Sequence, residues 1–245
     1  WAIREFDKAC MNRANEIISP SEKTKIYIKS IGVEKYINIV PTGFDFTRFL
    51  KTEEHYKKAL EIKKEYKIPE NKKILLCLGR IAQEKSFDVI IHGYSNYLKT
   101  HDKNETILIF VGDGPDRASL EELVKELKLE NNIVFLGKVN NSLVPYFYMI
   151  SDVFVNASIS ETQGLTFMEA MASSLLVLCR FDNNLVGVID NNKTGFFFQD
   201  INDFSNKLDY VLNLDESAKD KIKQNAFNSI DAFSEKTFYN NIIEV

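Results

Sequence analysis

Six runs of apolar residues recur between positions 74 and 198: ILLCL at 74–78, ILIFV at 107–111, IVFL at 133–136, VFV at 153–155, LLVLC at 175–179 and FFF at 196–198. Each is of strand length, and within each the hydrophobicity is continuous rather than alternating, so both faces of the strand must be covered. Segments of helical period lie between most of them, at 87–98, 116–129 and 142–150. A strand needing cover on both faces, followed by a helix able to supply it, is the repeating unit of a parallel sheet wrapped on each side by helices. The expected fold is α/β, a doubly wound, Rossmann-like parallel sheet.

In such a sheet ligands bind outside the carboxyl ends of the strands, so the residues after each run matter most for function. The first run is followed by Gly79, Arg80 and, a little later, Lys85; the second by Gly112, Asp113 and Gly114; the third by Gly137, Lys138 and Val139. Glycine there lets a backbone approach a ligand closely. The fourth run leads into ISETQGLTFMEAMA at 159–172, where Glu161 and Glu169 are separated by seven residues. A helix starting near Gly164 would present unpaired N–H groups and the positive end of its dipole to an anion such as phosphate. Two isolated glutamates are ordinarily solvated. Arg80 offers a bidentate fork and Lys85 a point charge for a diphosphate.

Other chemistries fit poorly. Gly112-Asp113-Gly114 opens like a dinucleotide fingerprint, but Arg117 occupies the third glycine position. There is no phosphate-binding Gly-Lys-Ser/Thr loop, and no Asp-x-Asp pair that would hold a magnesium diphosphate. Cys10, Cys77 and Cys179 are scattered, and His55, His92 and His101 lack metal-ligand spacing, so no metal site and no cofactor are expected. With 31 basic and 35 acidic residues the net charge is -4, which gives no general case for nucleic acid. No apolar stretch approaches the length of a membrane span.

The first forty residues read differently. Trp1, Phe6, Cys10, Ala14 and Ile17 keep a helical period, and a start at Trp1 suggests a piece of a longer protein. A short strand at 16–18 precedes Ser19-Pro20-Ser21-Glu22, which has the form of a capping box with proline at the first helical position. The helix it opens is expected to run to Ile31 and stop at Gly32, with a strand at 36–40 beyond it. A domain boundary is placed near Pro41, before a charged helix at 52–66. From Asn202 onward the pattern is helical and polar.

The ordered set PTGFD, GRIAQEKSFD, FVGDGP, FLGKV, SDVFVNAS, SETQGLTFMEAMA and NNKTGFFF resembles the C-terminal half of retaining nucleotide-sugar glycosyltransferases of the GT-B fold, family 4. The resemblance spans positions 17 to 198, and its specificity lies in the combination. It implies that residues 1–40 close an N-terminal acceptor domain, that 41–232 form the donor-binding domain and that 233–245 are a truncated C-terminal helix. It further implies that Arg80 and Lys85 hold the donor diphosphate, that Glu161 lies beside the transferred sugar, that the backbone of Gly164, Leu165 and Thr166 contacts sugar and phosphate, and that Glu169 binds the ribose. Gly43, Gly112, Gly114, Lys138 and Val139 complete the expected donor site, and Glu161, Arg80 and Lys85 are the expected catalytic residues. A carboxylate accepts hydrogen bonds from two vicinal hydroxyls, and cations beside a departing diphosphate stabilise its growing charge, so the assignment is chemically coherent.

Thr162, Gln163 and Thr166 point within that family to enzymes that glycosylate diacylglycerol. The expected reaction moves a hexose, taken as glucose, from a UDP-sugar to a lipid at the cytoplasmic face of the plasma membrane, with the acceptor pocket and any peripheral membrane contact supplied by the N-terminal domain. A relative building polysaccharide or a small glycoside, and a non-catalytic nucleotide-sugar-binding module, are the alternatives. Two departures from the family pattern stand out: Ser174 and Leu176 occupy positions where glycine and proline are common, and NLVGVID at 184–190 replaces a usual Pro-Glu.

Overall fold

The computed structural model describes residues 2–159 and 161–245. Its centre is a six-stranded sheet of β3 (Lys73–Leu78), β4 (Thr106–Val111), β5 (Ile133–Gly137), β6 (Val153–Asn156), β7 (Leu176–Arg180) and β8 (Phe196–Phe198). The order is β5-β4-β3-β6-β7-β8, and every neighbouring pair is parallel. This is the expected doubly wound α/β sheet. The chain winds outward from β3 in one direction and from β6 in the other. The reversal leaves a crevice outside the carboxyl ends of those two strands.

Alternate residues of each strand feed two separate cores. Ile74 and Leu76 face α3 (Glu53–Glu65), α6 (Val144–Met149) and α7 (Leu165–Ala172), while Leu75 and Cys77 face α4 (Phe87–Tyr97), α5 (Arg117–Glu126) and α8 (Ile201–Leu212). All four of these strand residues are fully buried, which is why the apolar runs do not alternate. α9 (Glu216–Ser229) and α10 (Glu235–Ile243) finish the chain.

Before this sheet lie α1 (Ala2–Arg13), β1 (Ile18–Ser19), α2 (Glu22–Ser30) and β2 (Asn38–Ile39). β1 and β2 pair in parallel as a second, two-stranded sheet, over a small core of Ile17, Ile28, Val33 and Ile37. Several boundaries differ from expectation here. The first helix ends at Arg13, so Ile17 belongs to this small core and not to the helix stripe. The cap of α2 is Ser21 rather than Ser19: Ser21 is extended and its hydroxyl accepts from the Thr24 N–H at 3.3 Å, whereas Ser19 is buried in β1. Pro20 therefore precedes the helix. The strand at 36–40 contracts to two residues, with Tyr36 left exposed. At the departure after α7, Ser174 adopts a left-handed conformation with φ +57°, so the turn that glycine commonly makes is kept without it.

The strand ends are joined beyond the strands themselves. Gly79 N–H donates to the Val111 carbonyl at 3.0 Å, and Gly112 N–H donates to the Gly137 carbonyl at 2.8 Å, so the three loops leave the sheet at one level. Gly79 and Gly112 share φ +141°, but a methyl group on Gly79 meets nothing within 4 Å while one on Gly112 would lie 1.8 Å from the Gly79 carbonyl oxygen. Gly79→Ala is expected to cost backbone strain alone, roughly 1–3 kcal/mol. Gly112→Ala should cost about 1–3 kcal/mol more through overpacking. Urea unfolding midpoints at constant m check this, and equal losses would show that the 112 loop yields instead.

Candidate active site

The loops after β3 and β6 meet across the crevice. After β3, a short 3-10 turn at Gln83–Lys85 aims the Lys85 side chain back toward the β6 loop. Its Nζ donates to Glu161 Oε1 at 2.8 Å, and the Ile159 N–H donates to the Glu84 carbonyl at 3.2 Å. Glu161 is only 8% exposed. A carboxylate so buried needs a charged partner, and Lys85 supplies it. From α2, Lys23 Nζ reaches the backbone carbonyl of Glu161 at 3.0 Å. Arg80 is exposed, and among the described residues its guanidinium has no ion-pair or hydrogen-bond partner.

Gly164 precedes α7 in a left-handed conformation, φ +75° and ψ 41°, and no side chain caps the helix. That turn delivers Leu165 and Thr166 as the first helical residues, with Leu165 exposed. One turn later Glu169 Oε2 accepts from the Tyr148 hydroxyl at 2.8 Å; the same hydroxyl lies 3.3 Å from the Thr166 carbonyl oxygen. Burial raises the Glu169 pKa above the ordinary glutamate value, opposed by the Tyr148 hydrogen bond and by the positive charge of Arg48. Burial also drives the Tyr148 hydroxyl well above its usual range, helped by the charges of Glu169 and Glu161. Tyr148 thus stays protonated and serves as a permanent donor to Glu169.

Beside these groups, at the ends of β3, β4 and β5, lies a cleft of about 370 Å³. Leu78, Val111, Val139 and Val144 give it apolar walls, while Arg80 and Lys138 stand at its rim. Asp113, the acid at this rim, is engaged by Arg117 at 3.3 Å. A larger depression of about 690 Å³ at the β8 edge, lined by Phe181, Val186 and Phe197 among others, contains none of the predicted site residues.

Arg80, Gly112, Lys138 and Val139 therefore share one cleft, and Lys85 and Glu161 form one ion pair. Gly43 and Gly114 do not line that cleft. A methyl on Gly43 would lie 2.7 Å from Phe238 Cβ of α10, and one on Gly114 would lie 2.1 Å from the Ile81 carbonyl oxygen, so both glycines are closely packed. Among the described residues no group of three or more His, Cys, Asp or Glu side chains is arranged to hold a metal ion.

The sequence model of the family described as "Glycosyl transferases group 1" matches residues 58–229. The chain belongs to this family. Among curated relatives it is 34% identical over 176 residues to the alpha-monoglucosyldiacylglycerol synthase of Acholeplasma laidlawii, covering 71% of this chain and 44% of that protein. The synthase of the same name from Streptococcus pneumoniae is 29% identical over 196 residues, covering 80% of this chain and 44% of the relative. The chain thus spans less than half the length of these relatives. Among solved structures, HepE of Anabaena in complex with UDP and glucose superposes with a TM-score of 0.83 at 18% identity, over 98% of this chain and 65% of that one. A glycosyltransferase from Rickettsia africae gives 0.82 at 25% identity, over 99% and 65%. The fold is that of GT-B glycosyltransferases.

Sequence reasoning missed three residues that touch or act on the candidate groups. Tyr148 sits in an apolar helix run and reads as core; only its hydroxyl, opposite Glu169, reveals its role. Arg48, whose guanidinium donates to the Asn141 carbonyl and lies 5.3 Å from the centre of the Phe49 ring, comes from a segment without regular pattern. Lys23 is distant in sequence from every site motif. Tyr148→Phe is expected to destabilise the fold by about 1–3 kcal/mol, the cost of leaving the half-buried carboxylate without its donor. It should also raise the Glu169 pKa further, because the lost bond favoured the ionised form. A folded pKa above the unfolded one means that stability falls as pH rises through that window, so the variant should lose stability more steeply there; denaturation at several pH values tests this.

Proposed function

We propose that this chain is the donor half of a retaining enzyme that moves glucose from UDP-glucose to diacylglycerol. The observation that carries the reading is the cleft at the ends of β3, β4 and β5, where Arg80 and Lys138, without side-chain partners among the described residues, flank apolar walls one step from the Lys85–Glu161 pair. The apolar walls suit a flat base and the free cations suit a diphosphate. Both monoglucosyldiacylglycerol synthases among the relatives support the sugar and the lipid. The HepE complex, with UDP and glucose bound, supports the nucleotide.

In this reading the base enters the cleft and the ribose hydroxyls donate to Glu169, held ready by Tyr148. The diphosphate lies between Arg80, Lys85 and the N-terminus of α7, where the backbone of Gly164, Leu165 and Thr166 approaches it. Glu161 holds hydroxyls of the sugar, fixing the anomeric carbon toward the acceptor. As the bond to the leaving phosphate breaks, Arg80 and Lys85 stabilise the developing charge, without a metal ion. Residues 1–40 close the N-terminal domain, which supplies the acceptor pocket and contact with the inner face of the membrane; among the described residues no helix is long and apolar enough to cross one.

Calorimetry with UDP, UDP-glucose and GDP tests the donor assignment. The chain should bind the uridine nucleotides in preference to GDP, and Arg80→Ala should weaken UDP by roughly tenfold or more, as expected for a charged hydrogen bond worth about 1.5–3 kcal/mol. Preference for GDP would refute the assignment. UDP affinity should also rise with pH and level off above the raised Glu169 pKa, because the ribose hydroxyls require the ionised carboxylate. Glu169→Gln should abolish this pH dependence. The 245-residue chain alone should transfer little or no sugar, and robust turnover in a glycolipid assay would contradict the division of labour.

A further inference from the structure

Gln163 lies between the two acids of the site but makes its bonds elsewhere. It is a buried polar residue, and both ends of its side-chain amide are engaged by a single backbone unit 121 residues earlier. Its Oε1 accepts from the Thr42 N–H at 3.1 Å, and its Nε2 donates to the Thr42 carbonyl at 3.0 Å. A carboxamide is the side chain that can do both at once. Glutamate has the same shape, but its ionised carboxylate would face the Thr42 carbonyl with no hydrogen to share.

The Thr42 segment is itself fixed from the opposite side. The Phe44 N–H donates to the Phe233 carbonyl at 2.9 Å, and Gly43 is packed against Phe238 of α10. Gln163 therefore hooks the loop carrying Glu161 onto a braced turn that joins β2 to the donor sheet. Lys23 of α2 makes a second tie to the same loop, at the Glu161 carbonyl. Both ties come from the first 42 residues, whereas the Lys85 bond comes from within the donor sheet. Neither tie involves the cleft between β3, β4 and β5.

Resting on the donor reading above, we infer that Gln163 is a positioning residue for the sugar end of the site, setting the height of Glu161 against the 41–43 turn. The cleft that takes the base, with Arg80 and Lys138 at its rim, is held by the ends of β3, β4 and β5. The position of the amino-terminal segment is thereby transmitted to the sugar and not to the nucleotide.

The test compares UDP with UDP-glucose binding by calorimetry in three forms of the chain: wild type, Gln163→Glu and Lys23→Met. In wild type, UDP binding establishes the donor reading; its absence would remove that reading and this inference with it. Given UDP binding, Gln163→Glu is expected to leave UDP affinity within about twofold and to weaken UDP-glucose by tenfold or so. Lys23 is exposed, so Lys23→Met will fold, and a loss of about threefold or more confined to UDP-glucose is expected. Equal weakening of both ligands in Gln163→Glu would mark a purely structural role and overturn the inference, as would unchanged UDP-glucose binding in both variants. A loss of UDP affinity in Lys23→Met would make Lys23 a phosphate ligand and equally refute its role as a tie.

Discussion

The site depends on three parallel strands ending at one level. Leu78 pairs with Val111, Val111 pairs with Gly137, and the ladder continues through the glycine N–H groups past the last strand residues. Parallel strands align in this way only when both faces are buried, because any slip would exchange the residues feeding the two cores. The hydrophobic register that stabilises the sheet is therefore the same constraint that brings Gly79, Gly112 and Lys138 to a common rim.

On this frame the charges are sorted into two kinds. Glu161 is buried and Glu169 half-buried, and each is given a dedicated donor, Lys85 for one and the Tyr148 hydroxyl for the other. Arg80 and Lys138 are left solvated and uncommitted among the described residues. Buried acids without partners would be costly, whereas exposed cations cost little until an anion arrives. The resting molecule thus holds its acids in place and keeps its cations available.

Much of this was legible in the sequence. Continuous runs such as ILLCL state that both faces are covered, and the glycines after them mark where backbones approach one another. Glu161, Arg80 and Lys85 could be singled out because they follow apolar runs of strand length, at the ends where such sheets bind ligands. The amino-terminal segment was less readable: a two-residue strand such as β1 carries too little pattern to fix its ends, and the stripe through Ile17 fits a helix as well as it fits the small core that Ile17 enters. The bonds of Tyr148 and Gln163 were not legible, because a core tyrosine and a loop glutamine acquire meaning only from partners 21 and 121 residues away. Gly43 shows the converse, a motif glycine whose immediate demand is the fit of Phe238.

The pairing of β4 with β5 skips a residue at its end: Phe110 is opposite Phe135, but Val111 is opposite Gly137, leaving Leu136 without a counterpart. Side chains on a strand alternate, so a skip of one inverts the parity of everything beyond it. Lys138 and Val139 follow this skip directly, beyond the end of β5. The rim of β5 is in this sense decoupled from its interior. Residues 136–139 thus lie past the register that holds Ile133 in the core, and Lys138 and Val139 among them line the cleft at the strand ends.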